Sequence, residues 1–427
     1  MAESGKVHDI IKNIKIPEMV QIRQAFAHQP LNDICDSLEK QFIQKKIADG
    51  ICPGMTVAVT AGSRGISHYA LILRELIKLL QQAKAKPFIV AAMGSHGGAT
   101  VEGQKAILDG YGITESYCGC PVKIGTECVC IGKTENGENV FIDKFAAEAD
   151  AIVVVNRIKP HTAFRGPYES GLMKMLAIGL GKQKGAEACH KAGFQNMAHM
   201  VPEFGHTILV NKKVLFATAI IEDAYDETSE LVLLKADEIE SEEPGLLQRA
   251  RKNMPRILVD NVDVLVVGQI GKNYSGDGMD PNISGTFATA YASGGIKTQR
   301  VAVLDISDSS HGNGVGFGMA DVSTKRAYRK FDREMSYPNA LTCLVPQVVK
   351  IPMIFENDRE CIQAAIKLCA DIDYEKVKLV YIHNTLKLDE VFVSESLVEE
   401  VEKTAGADVI KKCRLFCFDE YGNLPAY

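Results

Sequence analysis

Met55-Thr56-Val57-Ala58-Val59-Thr60 runs straight into Ala61-Gly62-Ser63-Arg64-Gly65-Ile66-Ser67, and the amphipathic stretch His68–Gln82 follows. A short apolar run that ends in glycines and opens a helical pattern predicts a strand buried on both faces and the turn into a crossover helix. The same unit recurs downstream, where Pro87–Ala92 (PFIVAA) predicts a strand and Val101–Asp109 a helix. Such alternation is the signature of βαβ units on a parallel sheet. Val122–Ile131 and Asn139–Ile142 flank Asn136-Gly137, a dipeptide suited to a tight hairpin, so an antiparallel insert is expected before Ala151–Val155 (AIVVV) resumes the pattern. Upstream, Pro30–Asp49 has helical character.

A second alternation begins near Val262 with VDVLVVG. It continues through RVAVLDIS and a helical Asp321–Phe331, and reaches VKLVYIH around Lys378–His383. The charged, proline-containing stretch Asp237–Pro255 separates the two patterns. The expected fold class is therefore α/β: two α/β domains with mostly parallel sheets and an interdomain cleft. Residues 1–255 would form the first domain and 256–404 the second, with 405–427 returning to the first. Ligands of open α/β sheets lie beyond the carboxyl ends of the strands, which makes those loops the places to search.

Composition narrows the partners. The 427 residues are 46% hydrophobic and 24% charged, enough to bury a large core. A net charge of −6 with Lys and Glu interspersed offers no basic face, so no nucleic acid partner is expected. MAESGKVHDIIKN lacks the apolar core of a secretory signal, no apolar run has membrane-spanning length, and the twelve scattered cysteines read as free thiols of a reducing compartment. A cytoplasmic protein with no membrane partner is expected.

Four loops carry chemistry. Ser63 and Arg64 sit between Gly62 and Gly65, where a forked cation and free N–H groups could hold an anion, or where an ordinary loop could show a surface arginine. A GxGxxG fingerprint is absent from this place, which disfavours an ordinary NAD site. His96 lies between Ser95 and Gly97-Gly98 at a strand's carboxyl end, positioned to approach a ligand closely; a turn histidine bonded to backbone is the plain alternative. Lys159, His161 and Arg165 make a cationic loop suited to a carboxylate or phosphate, or simply a solvated one. Lys174 stands inside the apolar run Leu172–Leu180, where lost hydration would make its amine nucleophilic unless its stem reaches water. His190 on the next helix reads, unaided, more readily as a core histidine than as a metal ligand. Cys118, Cys120, Cys128 and Cys130 lack the usual zinc spacing. In the second domain Gln269, Lys272, Asp277, Asp280, Asn282 and His311 occupy polar, glycine-rich loops as candidates for substrate contact, or as solvated loop residues.

Taken together these loops resemble the nickel-pincer-nucleotide lactate racemase family, most strongly from Thr60 to Gly193. In that family a glycine-flanked histidine and a histidine in a Pro-His loop form an acid/base pair, and His96 and His161 occupy those places. A lysine in a glycine-bounded apolar segment tethers the cofactor and a histidine sixteen positions later ligates nickel; Lys174 and His190 match that spacing. The resemblance implies a nickel-pincer nucleotide, a pyridinium mononucleotide derivative whose thioacyl arm is covalently joined to Lys174, with His190 as the metal ligand and Ser63 and Arg64 contributing to its site. It further implies a racemase or epimerase of a 2-hydroxy acid, acting by reversible hydride transfer through a 2-oxo acid, with Arg64, Lys159, Arg165, Gln269 and Lys272 holding substrate or cofactor. Partners implied are the small 2-hydroxy acid and cofactor-maturation proteins, with self-association into a homo-oligomer left open. The chain departs from the family at Ala61, where an acidic residue is common. Asp277, Asp280, Asn282 and His311 would suit a polyhydroxy acid better than lactate. Two rival readings remain, a nicotinamide-dependent 2-hydroxyacid dehydrogenase and a non-catalytic nucleotide-binding protein.

Overall fold

The computed structural model describes residues 5–414 and 416–425. The chain forms two compact units. A continuous unit runs from Ala27 to Met254, and a split unit joins the chain up to Phe26 to the chain from Pro255 onward. The first strand, β1 (Met19–Gln24), therefore belongs to the split unit.

Strands β2 (Thr56–Ala61), β3 (Lys86–Ala91), β4 (Val122–Lys123), β5 (Cys128–Lys133), β6 (Asn139–Asp143), β7 (Ala151–Arg157), β8 (Val214–Glu222) and β9 (Thr228–Lys235) build the continuous unit. Six of them form one sheet in the order β4-β3-β2-β7-β8-β9, parallel throughout except for the β8–β9 pair. Side chains alternate across a strand, so one continuous apolar run serves two cores. Ala58, Phe88, Val90, Ile152 and Val154 join the cluster that includes Phe204 and Leu246. Val57, Val59, Ile89, Val153 and Val155 join the one that includes Leu38 and Leu73. The Tyr69–Gln82 helix covers the second face with Ile72, Leu73, Leu76 and Leu80, the three-and-four spacing of an apolar stripe.

The expected hairpin exists as β5 and β6, with Gly137 at φ +87° in its turn. Val122–Ile131, expected as one strand, is divided: Val122 and Lys123 pair with β3 in the main sheet, and the hairpin starts at Cys128. Gly125 lies in the break, where a Cβ would come within 3.0 Å of the Phe145 ring.

The split unit contains β10 (Asn261–Ile270), β11 (Lys297–Ile306), β12 (Val322–Thr324), β13 (Met353–Phe355), β14 (Leu379–Ile382), β15 (Glu390–Ser394) and β16 (Ala407–Arg414). Its order is β13-β12-β11-β10-β14-β15-β1-β16, parallel from β13 to β14 and antiparallel from β14 to β16. Two expectations need correction. Residues 5–26 do not join the first domain, nor does β16 return to it, because β1 pairs with β15 on one edge and β16 on the other, and this gives β1 a ladder on both sides. Asp321–Phe331 is not helical from its start. β12 lies beside β11, Ser323 and Thr324 donate to the Val303 and Leu304 carbonyls, and the helix is Lys325–Lys330. Among the described residues no helix is long and apolar enough to cross a membrane.

Candidate functional site

Strand order sets the site. β3, β2 and β7 are neighbours, so the loops leaving their carboxyl ends, with His96, with Ser63 and Arg64, and with Lys159, His161 and Arg165, emerge side by side. His96 is exposed and its Nδ1 hydrogen-bonds to Ser63 Oγ. The Ser63 loop is itself fastened, since Tyr111 Oη donates to the Ser63 carbonyl at 3.0 Å and the Gly62 N–H donates to Tyr69 Oη at 2.6 Å. Arg64, next to Ser63, is exposed.

The Pro160-His161 loop is built around a buried carboxylate. Glu169, fully buried, accepts the His161 N–H at 2.7 Å and the Gly166 N–H at 3.1 Å, and pairs with Arg251 and with Arg165 at 3.4 Å. Lys159 and Ser170 exchange backbone hydrogen bonds at 2.8 and 3.1 Å, which lays the loop against the start of the Lys174 segment. The His161 ring packs on Phe164 at 4.5 Å between centroids, and its Nδ1 accepts the Ala163 N–H at 3.0 Å, leaving the proton of the neutral ring on Nε2.

Lys174 ends a short α-turn, Leu172–Lys174, that runs into a π-helix, Met175–Leu180, before the Lys182–His190 helix begins. The sequence pattern predicts a helix here but not its wider winding, a form concentrated at functional positions. A second buried carboxyl, Glu243, accepts the Met173 N–H at 2.9 Å, and burial pushes it up to about 8. Gly171 has to be glycine, since a Cβ would fall 2.0 Å from Glu243 Oε1. Lys174 is half-buried between the buried Met173 and Met175.

Electrostatics ties these elements together. Burial, then the Lys174 charge, pushes the His190 imidazole down to about 4. Burial, then Lys174, His190, Arg165 and Arg64, pushes His161 well below the ordinary histidine value. Both rings are thus neutral at pH 7 and both feel the charge of one amine. Phe194 packs on both, at 6.1 Å from His161 and 5.8 Å from His190. Against the core reading, His190 Nδ1 is buried without a hydrogen-bond partner. Glu169, Glu243 and Phe194 carry no sequence signal of their own, because their roles come from partners distant along the chain.

Cys118 and Cys120 are buried, with the Cys120 thiol pushed up to about 12 by burial, while Cys128 and Cys130 lie on β5. Among the described residues no group of three or more His, Cys, Asp or Glu side chains is arranged for a metal ion. Gln269, Lys272, Asp277, Asp280, Asn282 and His311 belong to the split unit. Gln269 accepts Tyr274 Oη at 3.0 Å and lines a cavity of about 140 Å³ with Arg326, Asp358, Tyr381 and His383. Asp280 is buried and accepts both the N–H and the side-chain amide of Asn282 at 2.9 Å, capping the Pro281–Ser284 turn. Lys272 and Asp277 are half-buried, and His311 is exposed in a left-handed turn.

Residues 12–201 match the model of the lactate racemase N-terminal domain. No curated protein matches the chain in sequence. Among solved structures, a Thermotoga maritima protein from a structural genomics programme is similar in fold, with 14% identity and a TM-score of 0.50 over 84% of this chain and 97% of that one. The lactate racemase apoprotein from Thermoanaerobacterium thermosaccharolyticum also aligns, with 14% identity and a TM-score of 0.46 over 78% of this chain and 83% of that one.

Proposed function

From the match of residues 12–201 to the lactate racemase N-terminal domain, we propose that the protein is an isomerase that racemises or epimerises a 2-hydroxy acid with a nickel-pincer nucleotide tethered to Lys174. The observation that carries the reading is the pairing of a half-buried amine with a neutral imidazole whose buried Nδ1 has no hydrogen-bond partner. These residues fit the group. A desolvated amine is the nucleophile an acyl tether needs, and a neutral imidazole is the ligand a nickel ion accepts. Lys174 and His190 would hold it, and when bound it supplies the hydride acceptor. Proteins that mature the cofactor are then partners.

The chain's own groups do the proton chemistry. In one direction neutral His96 accepts the proton of the substrate hydroxyl. His161, protonated to the imidazolium once acylation has removed the Lys174 charge, donates its Nε2 proton to the oxygen of the turned 2-oxo acid, so that each ring alternates between imidazole and imidazolium. The reverse direction exchanges the roles. Two bases are required because the two hands of the substrate present their hydroxyls to opposite sides. Arg64, Lys159 and Arg165 are the cations for the substrate carboxylate, whose planar oxygens match a guanidinium fork. Buried Glu169 fixes the backbone of the loop that carries His161 and Arg165.

Intact-protein mass spectrometry after co-production with cofactor-maturation enzymes tests the tether. The expected result is an adduct that vanishes in Lys174→Ala. Unmodified protein with full racemase activity would sink the proposal. His96→Ala and His161→Ala are each expected to abolish racemisation, a loss of at least about 100-fold, with the adduct in place. Retained activity in either removes that residue from the mechanism.

A further inference from the structure

Lys182 is the most deeply buried lysine of the continuous unit, only 2% exposed, and it sits at φ +55° immediately after Gly179-Leu180-Gly181. Glycine adopts that left-handed backbone at no steric cost, whereas a lysine strains it, so the side chain must supply what the backbone does not. Two of its three donors make hydrogen bonds and the charge is paired. Nζ bonds the Ala91 carbonyl at 2.8 Å and Gln104 Oε1 at 2.9 Å, and lies 3.5 Å from the buried Asp143 Oδ2.

Two of these partners lead toward His96. Ala91 ends β3, the strand whose loop carries His96. Gln104, 1% exposed, turns its Nε2 to the His96 carbonyl at 3.4 Å. Beside them the Gly94 N–H donates to the Gly179 carbonyl at 3.1 Å, and Gly179 approaches so closely that a Cβ would lie 2.9 Å from the Ala92 carbonyl oxygen. The His96 loop is therefore sewn onto the exit of the π-helical segment at two points, one backbone to backbone and one through an ammonium group.

We propose that Lys182 and Gln104 are positioning residues for His96, fixing it against the segment that carries Lys174 and His190. The idea deepens the racemase reading and rests on it for its kinetic consequence, but its structural half stands on the apoprotein alone. Burial raises Asp143 and lowers Lys182 from their ordinary values, and the attraction between them works against both shifts. Lys182→Met therefore strands a carboxyl and lowers stability, while Gln104→Leu leaves the ion pair with Asp143 in place and breaks the relay from Lys182 to His96 at both its bonds.

The test has two arms. In apoprotein labelled with ¹⁵N-histidine, with the ring signals assigned through His96→Gln, Gln104→Leu is expected to displace the His96 ring resonances and speed amide exchange over residues 94–97. The exposed His206 should stay as in the parent. Unmoved His96 signals overturn the proposal, whatever reaction the protein catalyses. In the loaded enzyme Gln104→Leu should lower kcat at least about tenfold with KM within about twofold, as expected when a base is misplaced while substrate binding is kept. The Lys182→Met/Gln104→Leu double variant should lose no more kcat than Lys182→Met alone, because both substitutions break one chain. Additive losses, or an unchanged kcat in Gln104→Leu, would overturn the positioning role even with full activity in the parent.

Discussion

At the scale of single residues, Lys174 is the organising charge. It is the second cause, after burial, of the lowered values at both His161 and His190. Replacing a cation by a neutral group lowers the cost of placing another positive charge nearby, so in Lys174→Met both histidines should take up protons at higher pH than in the parent. For His190 the midpoint should rise from about 4 toward 6.5 without reaching it, since burial persists. Histidine ring-proton titration by NMR measures this, and unshifted midpoints would show that the amine does not act on the rings. Acylation of Lys174 should have the same effect, because an amide carries no charge. Attachment of a cofactor would then itself move His161 toward the pH range in which acid/base exchange is efficient.

Elements hold these residues through buried carboxyls. Glu243 titrates near 8 in the folded chain, against 4.5 as its ordinary value. Between those values the folded state keeps a proton that the unfolded state has lost, so this group makes stability fall as pH rises from about 4.5 through about 8. Glu243→Gln, which can still accept the Met173 N–H, should remove that fall. At about 1.4 kcal/mol per tenfold change in proton affinity, the gain at pH 9 is on the order of a few kcal/mol, with little or none at pH 4. Thermal unfolding at the two pH values checks it, and a gain equal at both would mean that ionisation is not the cause. The strands and helices around this segment were legible because parallel strands buried on both faces read as continuous apolar runs and their covering helices as stripes. The π-helix was not, since six apolar residues buried on nearly every side carry no phase by which to tell one winding from another. His96 and His161 could be proposed from their places after strands. Glu169, Glu243 and Lys182 could not, because a buried charge is explained only by partners that the fold brings from elsewhere.

On the scale of the whole molecule, the two units differ in how they are closed. The continuous unit contains every strand of its sheet within residues 27–254. The split unit depends on β1, a six-residue strand whose alternating pattern MVQIRQ was too short and too polar to stand out in the sequence. Without it, β15 and β16 have no ladder between them. Residues 255–427 produced alone should therefore lack a cooperative thermal transition by circular dichroism, and a peptide of residues 5–26 added in trans should restore one. A sharp transition of 255–427 by itself would show β1 to be dispensable.

The placement of β1 also bears on how the chain is made. Met19 pairs with Ser394, so a strand that leaves the ribosome early is among the last to find its neighbours. During translation it must wait, unpaired, while the whole of the Lys174-bearing unit emerges and folds behind it. Its exposed Arg23 and half-buried Gln21 then guard a growing chain against premature edge-to-edge pairing, as polar side chains do on any unprotected strand. A nascent chain released early would carry a finished Lys174 segment and an unfinished second sheet.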